Sequence, residues 1–213
     1  MAQRTIHYLI GEALIAREGV TDVDRFRVGN LLPDAIEGIR WRSLTHFQKT
    51  VPVDGVERRY SDFEQFRRDF ADEVEHDDLY LGYYMHLVED ACYRLLWQEY
   101  GLWEKIRTEA DIELLHRDYH LLNAAIVRRW GIRDELVMPA DFAREPINRI
   151  YPFLLESFLA EARVDFTENP AGEMCLIDEA FVERYVSDYL DTCCEALRRL
   201  RAGRPIDPRS MTW

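Results

Sequence analysis

The sequence predicts an all-α fold: a single-domain multi-helix bundle of 213 residues with a buried central helix over about residues 79–100. Three observations predict it. Apolar residues recur at helical spacing in about six or seven separate stretches. No run alternates convincingly enough for a strand, and no repeat or low-complexity segment occurs. Leu79 to Trp97, LYLGYYMHLVEDACYRLLW, is apolar on every face, as a helix at the centre of a domain is. A chain of this length can bury a core large enough to fold without staples. Residues 1–203 are expected to form the domain, and 204–213, with Pro205 and Pro208, a loose C-terminal tail.

Taken in order, residues 3–18 read as a first helix. Ile6, Leu9, Ile10, Ala13 and Leu14 give the stripe, Gly19 the stop, and His7 sits beside the stripe as a half-buried residue. Gly29-Asn30 signals a turn, and Pro33 an extended lead into a short helix that Asp34 and Glu37 suit as a capping box. His46 falls in a short segment between turn-like sequences. Residues 48–60 read as an exposed, hairpin-like loop. Ser61 to Glu64 has capping-box spacing and opens a helix to about Glu73. The acidic run from Asp72 to Asp78 reads as a solvated connection. After the central helix, helices are expected over about 109–130, from about Pro146 to Ala162, and over about 178–201. Gly131 is a stop, Pro139 a first-turn residue, and 167–174 a loop.

The composition excludes several functions. A net charge of −13 disfavours binding to nucleic acid by the molecule as a whole, and an anionic substrate would need a local cation. No apolar run long enough to span a membrane is free of charge; the nearest, from Leu79, contains Glu89, Asp90 and Arg94. The N-terminal segment lacks the pattern of a secretory signal. The four cysteines show no CxxC spacing, which points to reduced, buried thiols and a cytoplasmic location.

Two pairs carry the chemistry. His86 and Asp90, four residues apart, share one face of the central helix, and His116 and His120 share a face of a later one. A carboxylate buried in an apolar helix costs several kcal/mol unless it is paired or bound to metal. Imidazole and carboxylate ligands without cysteine suit Zn²⁺, or alternatively Mn²⁺ or Fe²⁺. A di-iron carboxylate bundle would need two Glu-x-x-His motifs, and Glu113/His116 supplies only one. Read from spacing alone, Asp90 could equally hydrogen-bond His86 or an arginine within the core.

The stretches GNLLPD at 29–34, THF at 45–47 and LGYYMHLVED at 81–90 together resemble the zinc-dependent phospholipase C-like family and, more distantly, the single-strand nucleases of the same fold. The resemblance covers residues 1 to about 125. It implies an all-α cleft holding up to three zinc ions. By motif it implies that Asp34, His46, His86 and Asp90 hold one ion. Asp90 would bridge to a neighbouring ion, aided by His7, and His116 would match the histidine of a later His-xxx-Glu pair of ligands, with His120 at the Glu position. Asp34 would in addition orient or deprotonate the attacking water. Tyr83, Tyr84 and Trp41 are candidates to line the pocket, although core packing suits the tyrosines better. The implied activity is hydrolysis of a small phosphate ester at a di- or trinuclear metal centre. Two departures are visible: the histidine expected soon after Asp90 is replaced by Leu95, Leu96 and Trp97, and His120 stands where the family has Glu. They leave open an inactive helical metal- or ligand-binding module that kept the fold.

Overall fold

The structure is a computed structural model that describes residues 2–213. It is predominantly helical. Helix α1 (Arg4–Glu18) is followed by α2 (Val23–Gly29), a 3₁₀ turn at Leu32–Asp34, α3 (Arg42–Thr45) and a hairpin of β1 (Gln48–Val53) and β2 (Val56–Ser61). Then come α4 (Phe63–Asp69), α5 (Ala71–His76), α6 (Asp78–Glu99), α7 (Leu102–Lys105), α8 (Glu109–Trp130), α9 (Leu155–Asp165) and α10 (Glu179–Arg201).

Helix α6 is the axis of the bundle. Every residue from Leu79 to Tyr93 is buried, because α2, α4, α5 and α10 pack around it and α1 touches it where His7 lies. Its start is fixed by Asp77, whose side chain accepts from Leu79 N at 2.9 Å. Asp77 also pairs with Arg25 of α2. The contact with α2 is backbone against backbone. A Cβ on Gly82 would lie 2.3 Å from Phe26 O, and one on Gly29 would lie 1.9 Å from Leu79 O. Only glycine at both positions lets the two helices approach this closely, and the approach brings Asn30 beside His86.

The structure differs from the sequence expectation in several places, among them the acidic run, where Ala71–His76 is helical rather than a connection, and His7, which is fully rather than half buried. Residues 23–29 are helical, with Asp22 as cap to Arg25 N, so Gly29 serves helix crossing rather than a turn. Asp34 caps no helix; it ends a 3₁₀ turn with its side chain engaged elsewhere. Residues 48–61, read as a hairpin-like loop, do form a hairpin, with regular antiparallel strands in register Gln48↔Ser61 to Val53↔Val56. The segment from Pro139 to Leu154 is coil with two 3₁₀ turns, and α9 begins only at Leu155. The tail is docked: Arg59 N and Trp213 O bond at 2.9 Å, Trp213 N and Arg59 O likewise, and Pro208 and Met211 are buried. The cysteines are free, with Cys92, Cys193 and Cys194 buried and Cys175 exposed. Among the described residues no helix is long and apolar enough to cross a membrane.

Candidate metal centre

Five of the seven side chains singled out from the sequence converge. His7 comes from α1, Asp34 from the 3₁₀ turn after α2, His46 from the end of α3, and His86 and Asp90 from α6. The Asp34, His46 and His86 donor atoms lie within 4.8 Å of one another, as do those of His7, His86 and Asp90. Around the first position, His46 Nε2 is 3.2 Å from His86 Nε2, 3.2 Å from Asp34 Oδ1 and 3.6 Å from Asp90 Oδ2. His86 Nε2 is 4.0 Å from Asp34 Oδ1. Ligands about 2.0–2.2 Å from a tetrahedral zinc lie about 3.3–3.6 Å from each other, so three of these four separations are close to the size for one ion and the His86–Asp34 separation is somewhat longer. At the second position, His7 Nε2 is 3.5 Å from Asp90 Oδ1. His7 Nε2 is buried and has no hydrogen-bond partner among the described residues. With Nδ1 facing Glu89 and Nε2 facing Asp90, His7 is protonated at neutral pH and would have to release its Nε2 proton to take a cation there.

Neighbours fix the direction of each imidazole. His86 Nδ1 donates to Asn30 O at 2.8 Å, which leaves the lone pair of Nε2 facing the cluster. His46 Nδ1 lies 3.1 Å from Thr45 Oγ1, and the Thr45 carbonyl is held by Tyr83 OH at 2.6 Å. His7 Nδ1 donates to Glu89 Oε2 at 2.7 Å, and the ring stacks on His86 with centroids 3.9 Å apart. Asn30 Nδ2 donates to Glu89 Oε1 at 2.7 Å. Glu89, fully buried, therefore orients His7. It was not singled out from the sequence; its one signal there is a second carboxylate inside an apolar helix, adjacent to Asp90.

The electrostatics keep most of the ligand atoms bare. Burial pushes both His46 and His86 below the ordinary histidine value, so these rings are neutral near pH 7. Burial opposes the charge on Asp34, yet Arg42, His46 and His86 together hold it far below the usual carboxylate range. Asp90 likewise stays ionised against burial, with His7 the largest opposing influence. Burial raises Glu89 despite the bonds from His7 and Asn30. His7 is the exception among the rings. Burial disfavours its charge, but Asp90 and Glu89 outweigh that and raise it to about 9.

His116 and His120 are not brought to this cluster. The face of α8 turned inward carries Leu115, Asp118, Leu122 and Ile126, so both histidines stand exposed on its outer side. His120 Nδ1 instead lies 3.1 Å from Glu168 Oε1, near Asp165. That group is already compensated, because Arg4 grips Asp165 through Nε at 2.7 Å and Nη2 at 3.2 Å. Tyr83 and Tyr84 are core residues, the latter bonded to Glu64 at 3.2 Å, while Trp41 is exposed against Tyr151.

The centre is nearly closed. The side chains of the three histidines are wholly buried, Asp90 is 4% exposed, and Asp34, at 11%, marks the outward side. Arg42 lies there, with Nη2 2.5 Å from Asp34 Oδ1. Two surface clefts, one beside Arg25 and Arg201 and another beside Tyr60 and Arg209, involve none of the cluster residues. No family model, curated protein or solved structure matches the chain at a significant level.

Proposed function

We propose that the protein is a metal-dependent hydrolase of a small phosphate ester, with two divalent ions held by His7, Asp34, His46, His86 and Asp90. The observation that carries this reading is the clustering of Asp34 Oδ1, His46 Nε2 and His86 Nε2 at separations of 3.2–4.0 Å, with Asp90 Oδ2 3.6 Å from His46 Nε2. Nitrogen and oxygen donors without sulfur favour Zn²⁺, with Mn²⁺ and Fe²⁺ as the other candidates. When bound, such ions act as Lewis acids toward water and offset charge on a phosphoryl group. The resemblance of residues 29–90 to the zinc-dependent phospholipase C-like family supports the same chemistry.

The chain's own residues divide the remaining work. Asn30 and Glu89 aim His86 and His7, so the site is ordered before any ligand arrives. Asp90 has Oδ1 3.5 Å from His7 Nε2 and Oδ2 3.6 Å from His46 Nε2, so it is the residue that both ions would share. Asp34 is the ionised group on the outward side. A carboxylate held this far below its usual range is a weak base, so its role is to accept a hydrogen bond from an attacking water and orient it rather than to take its proton. The buried α6 face excludes bulk water behind the cluster.

The test is metal analysis of protein purified without chelator, followed by assays on aryl phosphate monoesters and diesters. Expected are about one to two transition-metal ions per chain and turnover that chelation abolishes and Zn²⁺ or Mn²⁺ restores. Under about one ion per chain, with no turnover after metal addition, contradicts the proposal. A second reading, a helical module that binds metal without catalysis, is favoured by the near closure of the site and by the outward position of His116 and His120. Stoichiometric metal that raises the melting temperature, with no turnover on either ester class, would establish it instead.

A further inference from the structure

A centre whose histidines are wholly buried cannot meet a phosphate ester unless some segment moves. The loop 36–44 lies on the chain between two of the candidate ligands, Asp34 and His46. Both of its ends are anchored. Ala35 is buried and its carbonyl accepts from Leu154 N at 2.9 Å, while the Thr45 carbonyl accepts from Tyr83 OH at 2.6 Å. Between these anchors the chain runs over the surface. Ile39 is 83% exposed, Leu44 47% and Trp41 36%. Gly38 turns the loop at φ 79°, with no atom within 4 Å of where a Cβ would stand.

Little holds this loop down. Glu37 N donates to Tyr151 OH at 3.2 Å, and the Trp41 ring lies 5.7 Å from that of Tyr151. Its charged tie to the centre is Arg42, whose Nη2 bonds Asp34 Oδ1. The fit is imperfect, because Arg42 Nε is buried and has no partner among the described residues. A buried donor without an acceptor costs free energy that exposure to water relieves. A segment with few ties and little buried apolar surface is of the kind that opens locally while the rest of the fold stays intact. A carboxylate has lone pairs enough for a cation and an arginine at once, so the Arg42–Asp34 bond can persist in the loaded protein.

We propose that residues 36–44 form a lid over the metal centre, with the Arg42–Asp34 pair as its latch and Tyr151 as a second catch. This rests on the metal-centre reading above and adds how ligands enter and leave that site. Opening swings the loop about its anchors at Ala35 and Thr45, draws Arg42 off Asp34 and bares the outward side of the centre. The α6 wall, with His86 and Asp90, stays in place. Metal entering and metal leaving pass through the same opening. The strength of the latch therefore sets both rates and leaves their ratio, the affinity, nearly unchanged.

The lid is tested by stopped-flow kinetics of Zn²⁺ uptake and of Zn²⁺ release to a colorimetric chelator, with metal content and affinity measured on the same samples. Arg42→Gln is expected to speed uptake and release alike, by about tenfold or more. Tyr151→Phe keeps the ring contact and changes no charge, and is expected to speed both by about threefold. Release from the wild-type chain is expected to depend only weakly on sub-denaturing urea, because a short loop exposes little surface. Unchanged rates in either variant overturn the lid as proposed and leave the metal centre standing. Tighter binding with slower release in Arg42→Gln would mean that the arginine acts by charge repulsion, and overturns the latch. Release as steeply dependent on urea as global unfolding overturns the lid as well. Wild-type protein that takes up no Zn²⁺ overturns the underlying reading, and the lid with it.

Discussion

His46 Nε2 and His86 Nε2 face each other at 3.2 Å in a pocket where both rings are fully buried. His86 Nδ1 is committed to the Asn30 carbonyl, so its Nε2 is an acceptor. A neutral His46 has one Nε2–H for two acceptors, His86 Nε2 and Asp34 Oδ1, each 3.2 Å away. A cation between them would satisfy both nitrogens and Asp34 together. The arrangement thus has a low-cost apo state and a better-satisfied loaded state, which is the physical basis for expecting metal to stabilise the fold.

Glu89 tests the orienting shell. Glu89→Gln keeps the shape but removes the charge that fixes His7. Metal affinity at the His7–Asp90 position is expected to drop by about 10–100-fold, while the ion between Asp34, His46 and His86 is retained. Competitive chelator titration with metal counting reads this. Equal loss at both positions would show that Glu89 acts on the fold as a whole.

The glycine crossing tests the scaffold. Gly82→Ala places a methyl group 2.3 Å from Phe26 O, a backbone atom that cannot step aside. The expected cost is about 3 kcal/mol or more of stability, with a displaced Asn30 and weaker metal binding as consequences. Chemical denaturation measures the first. A change below about 0.5 kcal/mol would mean that α2 and α6 are not packed this closely.

The chelated protein should have its stability optimum near pH 6.5. His7, raised to about 9, contributes stability that is fully present below the unfolded histidine value and is lost as pH climbs toward 9. His46 and His86, both lowered, act oppositely: the unfolded chain takes up their protons below about pH 6.5 and stability falls as pH is lowered. Melting temperature against pH in the presence of chelator reads both limbs. A curve that stays flat or rises from pH 6.5 to 9 contradicts the placement of His7 between Glu89 and Asp90. With metal bound, His7 gives up its proton, and the alkaline loss should disappear.

His116→Ala and His120→Ala should leave metal content unchanged and alter stability by no more than about 0.5 kcal/mol, since both side chains are exposed. Loss of an ion on replacing either would return them to the centre.

The sequence carried part of this. Helix α6 was legible because it is apolar on every face and ends close to where its composition turns polar. Helix α2 was not, because seven residues are too few to show a period, and Gly29 resembles a turn when its close neighbour Leu79 is unknown. The hairpin's strands were hidden, though its turn was not, because most of their side chains are exposed on both faces, which erases alternation. His7, Asp34 and His46 could be grouped with His86 and Asp90 only through the order of motifs, since four separate elements bring them together. The spacing of His116 and His120 places them on a common face but does not say which way that face turns. Glu89 could not be assigned because its partner, His7, is 82 residues away on α1.

The most direct measurement is anomalous diffraction at the zinc edge from crystals grown without chelator. The account predicts a peak bounded by Asp34 Oδ1, His46 Nε2, His86 Nε2 and Asp90 Oδ2, with a second beside His7 Nε2 and Asp90 Oδ1. Zinc-supplemented crystals with no peak at either place, and with His46 still hydrogen-bonded to His86, would contradict it.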